Sequence, residues 1–251
     1  MNKDEITFQK RLVDLSNQAF SRNIVTFSDF LNLNELNILH TTPKNMFSAR
    51  YETFGGYEFA ERQMVAFLPD ALYYEYKYPI RVIEITPVNE KFAEDLSHRD
   101  YLGALMSLGI DRSRFGDILV EETLALLFAH EEIADYVTEQ LTSIRHTTVN
   151  AHIRDTEEIT YEPSFQNIHS NVPSLRLDAV ISSAFPMSRS KMIPYIEGGK
   201  VYVNGKQITS NAYQLKDGDI ISVRGLGRLV YDGVEKETKK GRFFLRLRKF
   251  E

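Results

Sequence analysis

The sequence predicts an α+β protein with three parts: an N-terminal helical segment, a β-α-β-β-α-β middle domain and a small basic C-terminal domain. Three observations predict this division. Apolar residues recur at helical spacing near the N-terminus, strand and helix patterns alternate from 79 to 153, and positive charge collects after residue 172. The predicted boundaries are 1–70, 71–160 and 172–251.

The N-terminal segment contains two helical patterns. Residues 5–22 place apolar residues at helical spacing, and residues 28–40 repeat them at steps of three. Ser28 precedes the second pattern, and serine is a favoured N-cap residue. We therefore expect Ser28 to cap that helix and the FGGY turn at 54–57 to end the segment.

The middle domain follows from six alternating patterns. Two of them are amphipathic helices, and the β-branched and apolar runs between them predict strands, although TLALLFA also suits a helix by propensity. The order of elements is that of the split-βαβ, ferredoxin-like arrangement. The patterns lie at 79–87, 98–110, 116–120, 123–129, 131–144 and 146–153.

Residues 155–173 are polar and contain two prolines, which predicts a linker into the basic domain.

Charge is distributed unevenly along the 251 residues, whose formal net charge is −5. Residues 172–251 contain 15 Lys and Arg against 8 Asp and Glu, a net of +7, so the remaining 171 residues carry −12. Such asymmetry indicates a polyanionic partner for the basic part. A solvated lysine-rich surface is the alternative.

The basic domain reads as two helices followed by strands. Residues 174–185 form the first helical pattern, and Ser188 is a good N-cap for a second helix that the Gly198–Gly199 pair ends. An Asn-Gly turn inside 200–208 is a strong hairpin signal, and 215–223 and 241–250 are strand-like. The last strand alternates apolar residues with a cationic face.

Four ordered blocks of this domain resemble the alpha-L type RNA-binding domain of small-subunit ribosomal protein four. Roughly 50 residues carry the resemblance: R-L-D-x-x-[ILV] at 176–181, S-R-S-K at 188–191, I-E-G-G-K-V-x-V-N-G-K at 196–206 and L-K-x-G-D-x-I-x-V at 215–223. The resemblance implies that the second helix and the following hairpin face RNA. Pro194, inside that helix, departs from the pattern and is expected to kink or shorten it.

The predicted RNA-binding residues surround the second helix and the hairpin. A helix N-terminus has unpaired N–H groups and a positive dipole end, which attract phosphate. Ser188 should orient those groups, Asn204 should shape the turn, and the remaining residues should supply cations. The candidates are Arg176, Ser188, Arg189, Lys191, Lys200, Asn204 and Lys206. Charge reversal at Arg189 should weaken RNA binding and leave the fold intact.

The whole chain resembles bacterial YlmH-type proteins. The blocks SDFLN (28–32), FGGY-x-x-AERQ (54–63) and HRDYLGALMSLGIDRSRFGDIL (98–119), with the C-terminal motifs, match that family in order. The resemblance implies that the protein contacts ribosomal RNA and tRNA on the large ribosomal subunit in rescue of stalled translation. The residues alone support RNA binding.

Other sites have alternatives that stay open. Arg112 and Arg114 could form a second RNA contact, or could balance Asp111 and Asp117 on a solvated loop. The aromatic run at 73–78 could stack on bases, but an interdomain strand is favoured. The acidic N-terminal region could bind a protein partner, which would make the chain an RNA-tethered adaptor linked to cell division.

Catalysis, cofactors and metals are not expected. The absence of cysteine excludes disulfides, thiol catalysis and cysteine-ligated zinc, and the histidines lack metal-site spacing. The sequence contains no phosphate-binding glycine loop of the known kinds, so an RNA-modification enzyme is the weaker alternative. It has no membrane-length apolar run and no secretory signal, so a cytoplasmic location is expected.

Overall fold

The structure is a computed structural model that describes residues 3–154, 163–185, 187–239 and 241–250. The chain divides into two units. One comprises Met1–Glu35 and Thr42–Tyr161, and the other comprises Leu36–Thr41 and Glu162–Glu251. The predicted division into three parts stays a prediction.

Two helices lie near the N-terminus, as the apolar spacing predicted. α1 spans Lys3–Arg22 and α2 spans Leu33–Thr41. Ser28 is not the N-cap of α2, so that prediction is wrong. The Asn32 side chain accepts hydrogen bonds from the Asn34 and Glu35 amides, whereas the Ser28 hydroxyl is buried and accepts from the Val65 amide.

The N-terminal segment also contains a three-stranded antiparallel sheet that the sequence analysis did not predict. Its central strand is buried throughout: both edges pair with neighbouring strands, and α1 packs against it. The strands are β1 (Thr26–Phe27), β2 (Arg50–Phe54) and β3 (Met64–Leu68), in the order β1-β3-β2. The FGGYEFAERQ segment, which begins at the last residue of β2, therefore forms the long connection between β2 and β3.

The middle domain has the predicted ferredoxin-like order. Its antiparallel sheet is arranged β5-β6-β4-β8-β7, and residues of α3 and α4 share one apolar core with it. TLALLFA forms a strand, since Ala125–His130 pairs on both sides. The elements are β4 (Ile80–Pro87), α3 (His98–Ser107), β5 (Phe115–Val120), β6 (Ala125–His130), α4 (Glu131–Gln140), β7 (Ser143–Ile144) and β8 (Thr147–Ile153).

A residue at an irregularity in β5 anchors the connection between β2 and β3. The register of β5 against β6 shifts between Phe115 and Ile118, and Asp117 lies within that shift. The Asp117 carboxylate accepts hydrogen bonds from the Tyr57 hydroxyl at 2.9 Å and from the backbone amides of Glu61 and Arg62 at 2.7 and 3.1 Å. The FGGYEFAERQ motif is thus tied to the middle domain by the Asp117 carboxylate, and Arg62 adds hydrogen bonds to the Phe115 and Arg112 carbonyl groups.

We expect Tyr57→Phe to lower the free energy of unfolding by about 1.5–3 kcal/mol, because it removes one hydrogen bond to the Asp117 carboxylate. Chemical denaturation measures this change. Tyr73→Phe is the matched control, since Tyr73 is 88% exposed and its hydroxyl lies in solvent. Equal effects of the two substitutions would contradict the anchoring role of Tyr57.

The predicted linker at 155–173 is wrong in its second half. Residues 155–162 lie outside the described part, but Phe165–Val172 forms the eight-residue strand β9. β9 pairs along its whole length with the last strand of the chain. Its polar residues occupy the less buried side of that pairing, which explains why the segment reads as a linker.

The C-terminal unit packs two helices on one face of a six-stranded antiparallel sheet arranged β11-β10-β12-β13-β14-β9. Apolar residues from both helices and from alternate strand positions form its core. The elements after β9 are α5 (Leu177–Ala184), α6 (Arg189–Glu197), β10 (Val201–Val203), β11 (Lys206–Gln207), β12 (Asp219–Val223), β13 (Gly227–Glu237) and β14 (Phe243–Phe250).

Left-handed backbone occurs where the sequence predicted sharp turns. Gly199 (φ 68°) follows α6, and Asn204 (φ 48°) and Gly205 (φ 77°) join β10 to β11. Positive φ at both central residues is the hairpin turn for which Asn-Gly is preferred. The α6 cap and the β10–β11 hairpin therefore have the predicted geometry.

Candidate RNA-binding surface

Two of the predicted RNA-binding residues converge on one buried carboxylate. Asp178, in the first turn of α5, has a side chain that is only 2% exposed. One carboxylate oxygen accepts from Arg176 Nε at 3.2 Å, and the other accepts from Arg189 Nε and Nη2 at 3.2 and 2.5 Å. The two arginine side chains remain 44% exposed. Asp178 thus brings the start of α5 and the start of α6 together and fixes two solvent-facing guanidinium groups.

The electrostatics of Asp178 follow from its contacts. Burial by itself raises the pKa of this carboxyl, but hydrogen bonds from Arg189 and then Arg176 outweigh burial and hold the pKa below its ordinary value of 3.8. The carboxylate is therefore ionised at neutral pH. This ion pair contributes stability above the pKa that Asp178 has in the unfolded chain. The contribution is lost as pH falls through the lower pKa of the folded protein.

The ion pair predicts a pH dependence. The difference in free energy of unfolding between the protein and Asp178→Asn should be constant from about pH 7 to about pH 5 and should shrink below about pH 4. Denaturation at several pH values measures this difference. A difference that grew on acidification would contradict an ionised, arginine-bound Asp178.

The N-terminus of α6 lies beside this arginine pair. Ser188 occupies the N-cap position, but its hydroxyl contacts the Ser190 hydroxyl at 2.9 Å and makes no capping hydrogen bond. The predicted side-chain cap is therefore wrong. Lys191 is exposed in the first turn. α6 continues through Pro194 to Glu197, so the proline does not end the helix where it stands.

The β10–β11 hairpin returns toward the end of α6. The Gln207 side chain donates to the Gly199 carbonyl at 2.8 Å, which ties β11 to the turn after the helix. The Lys200 ammonium lies 5.0 Å from the ring centroid of Tyr195. The hairpin thereby holds Lys200 beside the C-terminal end of α6.

The hairpin turn is fixed by its own side chain. The Asn204 amide donates to Asp219 at 2.8 Å and accepts from the Ile220 amide at 2.9 Å. Asn204 therefore shapes the turn through contacts within the domain. Lys206 is exposed and lies near His40, whose pKa is lowered by burial and by the Lys206 charge.

Arg112 and Arg114 are engaged within the first unit. Arg112 donates to the carbonyl groups of Phe115 and Gly116, and burial and the nearby Arg62 charge lower its pKa to about 10. Arg114 pairs with Asp29 at 3.4 Å and with Glu132 at 3.0 Å. These contacts give both arginines a structural role. A second RNA contact at this loop has no support from their geometry.

The aromatic run at 73–78 does not form the favoured strand. Tyr74 accepts a hydrogen bond from the Val25 amide, and Tyr76 donates to Glu52. Burial, followed by the nearby Tyr76 and Glu52, raises the pKa of Tyr78 far above its ordinary value. Three of the four tyrosines are thus anchored in the first unit, whereas Tyr73 is 88% exposed.

Sequence reasoning missed Asp178 as a residue of this candidate site. Its signal was present in the R-L-D block, but the significance of the carboxylate depends on Arg189, which lies 11 residues further along the chain. Among the described residues, no cluster of three or more His, Asp or Glu is arranged to hold a metal ion, and no helix could cross a bilayer.

Two family models match parts of this chain. Residues 74–158 match the family described as "Putative RNA-binding domain in YlmH", and residues 175–221 match the S4 domain. The S4 match includes α5, α6 and the β10–β11 hairpin.

Two individual proteins are similar over much of their length. The chain is 31% identical over 246 residues to the Ribosome-associated protein quality control protein P2 of Bacillus subtilis (strain 168), which covers 96% of this chain and 93% of that protein. It is also similar to a solved structure of the Cell division protein ylmH from Streptococcus pneumoniae, with 23% identity, a TM-score of 0.49, and coverage of 61% of this chain and 93% of the other. The chain therefore belongs to the YlmH family of RNA-binding proteins, with an S4 domain in its C-terminal part.

Proposed function

We propose that this protein binds ribosomal RNA and tRNA on the large ribosomal subunit, in quality control of stalled translation. The observation that carries the proposal is the pair of arginines that Asp178 holds at the start of α6, within the S4 domain. The name of the Bacillus relative, a ribosome-associated quality control protein, supports the setting. The proposal includes a cytoplasmic location, where ribosomes lie.

RNA phosphates supply the charge that this surface would meet. Arg176 and Arg189 each keep part of their guanidinium in solvent, so they can contact phosphate while Asp178 fixes their position. Lys191 adds charge at the N-terminus of α6, where free backbone N–H groups also attract phosphate. Lys200 and Lys206 extend the surface along the hairpin.

The proposed role is binding without catalysis. Phosphate contacts position a protein on RNA, and this work requires no reacting group. A bound factor can act by holding a subunit and its tRNA in one arrangement. The affinity should fall steeply with salt, because each neutralised phosphate releases counterions.

Sedimentation with purified large ribosomal subunits tests the proposal. Subunits with and without peptidyl-tRNA would be mixed with the protein at low and at near-physiological salt and separated on sucrose gradients. We expect co-migration with both samples at low salt, and retention at higher salt on subunits that carry peptidyl-tRNA. Lys191→Glu should weaken this retention, whereas Lys10→Glu, on α1, is the matched charge-reversal control.

Two outcomes would contradict the proposal. Absence of the protein from both subunit fractions at low salt would exclude a factor of the large subunit. Capture of a protein partner that survives nuclease treatment, without subunit binding, would instead favour the RNA-tethered adaptor.

A further inference from the structure

The β13–β14 hairpin carries most of the positive charge of the C-terminal domain, although it lies beyond the S4 match. Residues 227–250 contain eight Lys and Arg against three Asp and Glu, a net of +5. Residues 172–226, which include every predicted RNA-binding residue of the domain, contain seven against four, a net of +3. The S4 match ends at residue 221. The arrangement of α5, α6 and β10–β11 therefore leaves the larger part of the charge unexplained.

Lys236 and Arg246 share the sheet face opposite to α5 and α6. Leu245 and Leu247 of β14 belong to the core beneath the helices, so the intervening Phe244 and Arg246 point to the other face. Lys236 is paired with Phe244 across the strands, and its ammonium lies 4.9 Å from the centroid of the Phe244 ring. Lys236 and Arg246 are both exposed.

Neighbouring contacts hold this face in one arrangement. Arg248 makes two hydrogen bonds of 2.8 Å with Asp232 and lies 4.7 Å from the Phe165 ring centroid. Arg242 donates to the side-chain and backbone oxygens of Asn171, each at 2.7 Å. Arg246 lies 3.7 Å from Asp232, and its side chain is 54% exposed. The rigid pairs fix the strands, and the more exposed Lys236 and Arg246 are available to a ligand.

The position of this face separates it from the first RNA-binding surface. Arg176, Arg189 and Lys191 belong to the helices that cover one face of the sheet, whereas Lys236 and Arg246 lie on the opposite face. Along the sheet, β14 is four strand spacings from β11, so Lys206 lies about 19 Å away at the usual spacing, beyond the Debye length of about 8 Å. The two groups of cations would therefore neutralise different phosphates.

We propose that Lys236 and Arg246 form the centre of a second RNA-contact surface, which binds a separate stretch of phosphate backbone. Cations interleaved with aromatic rings on one face are typical of surfaces that bind nucleic acid. The inference rests on the proposed RNA-binding function and extends it. The domain would hold RNA on both faces of its sheet, so one surface can position the protein while the other adds affinity.

The salt dependence of RNA binding tests the second surface. Affinity for a labelled 20-nucleotide poly(U) strand and for purified large subunits would be measured at several salt concentrations for K236Q/R246Q. Its control, K10Q/K44Q, removes the same charge from exposed positions of the first unit. For poly(U), the slope of log affinity against log salt should fall by about 1.4 in K236Q/R246Q and stay unchanged in the control.

Each outcome is decisive. A wild-type slope and affinity for both probes in K236Q/R246Q would overturn the second surface and leave the proposed function standing, provided that the parent protein binds subunits. Binding of neither probe by the parent would overturn both. When K236Q/R246Q is combined with R189Q/K191Q, the changes in log affinity should add, because separated sites act independently. A quadruple variant no weaker than R189Q/K191Q would also contradict the inference.

Discussion

Asp178→Ala is expected to lower the free energy of unfolding by about 3 kcal/mol and to weaken RNA binding. The carboxylate is buried and accepts charged hydrogen bonds from Arg176 and Arg189, and bonds of this kind contribute about 1.5–3 kcal/mol each. The half-exposed arginines can regain water, which keeps the loss below the sum of both. Chemical denaturation and RNA titration measure the two effects.

The direction of the change in RNA affinity in Asp178→Ala shows whether Asp178 positions the arginines or only alters the net charge. Removing an acid makes the domain more basic, so a purely electrostatic surface should bind RNA more tightly. If Asp178 positions the arginines, binding weakens instead. Asp217→Ala is the matched control, because it gives the same charge change at an exposed residue of the same domain. Tighter binding by both variants would contradict the positioning role.

Arg189→Glu is expected to lower the free energy of unfolding by about 3 kcal/mol as well as to reduce RNA affinity by at least about tenfold. The substitution removes an arginine from a buried carboxylate and puts a second carboxylate beside it, and breaking such a pair is strongly destabilising. The expectation from the sequence, that the fold would stay intact, is therefore revised by the contact with Asp178.

Lys191→Glu distinguishes the loss of stability from the loss of RNA affinity. Lys191 is exposed on α6 and is not a partner of Asp178, so its reversal should reduce RNA affinity with little change in stability. Thermal unfolding and RNA titration of both variants provide the comparison. If Arg189→Glu unfolded at the same temperature as the parent protein, the structural role of the pair would be contradicted.

The parts of the fold that the sequence predicted well depend on local signals. The Asn204–Gly205 turn requires positive φ at both residues, and few residue pairs other than Asn-Gly accept this. The ferredoxin-like order follows because strand and helix periodicities alternate within short distances. Each of these signals lies within one element or one turn, where neighbouring residues decide the structure.

The failures arise where a distant segment decides the local structure. Ser28 has the composition of a cap, but its hydroxyl is taken by the Val65 amide of β3, and Asn32 caps α2 instead. β9 reads as a linker because the strand that pairs with it is nearly 80 residues further along the chain. Tertiary partners of this kind leave no local signature.

The residues of the candidate site also divide into those with a local signal in the sequence and those whose role depends on a distant partner. The cations of α6 and the hairpin could be found from their types and positions, since charge beside a helix N-terminus is a local pattern. The significance of Asp178 could not, because burial and partnership with Arg189 depend on how α5 packs against α6. Arg112 shows the same limit: the sequence left an RNA contact and a solvated loop both open, and its hydrogen bonds to carbonyl groups of β5 depend on the fold.

Crosslinking of the protein to RNA in its complex with large ribosomal subunits tests the central claim most directly. Ultraviolet irradiation followed by mass spectrometry would identify the peptides that carry nucleotides. We predict crosslinks in peptides that span the start of α6 and the β10–β11 hairpin, and their loss in Asp178→Ala under conditions where that variant stays folded. Crosslinks confined to residues 74–158, with none in the S4 domain, would contradict the account.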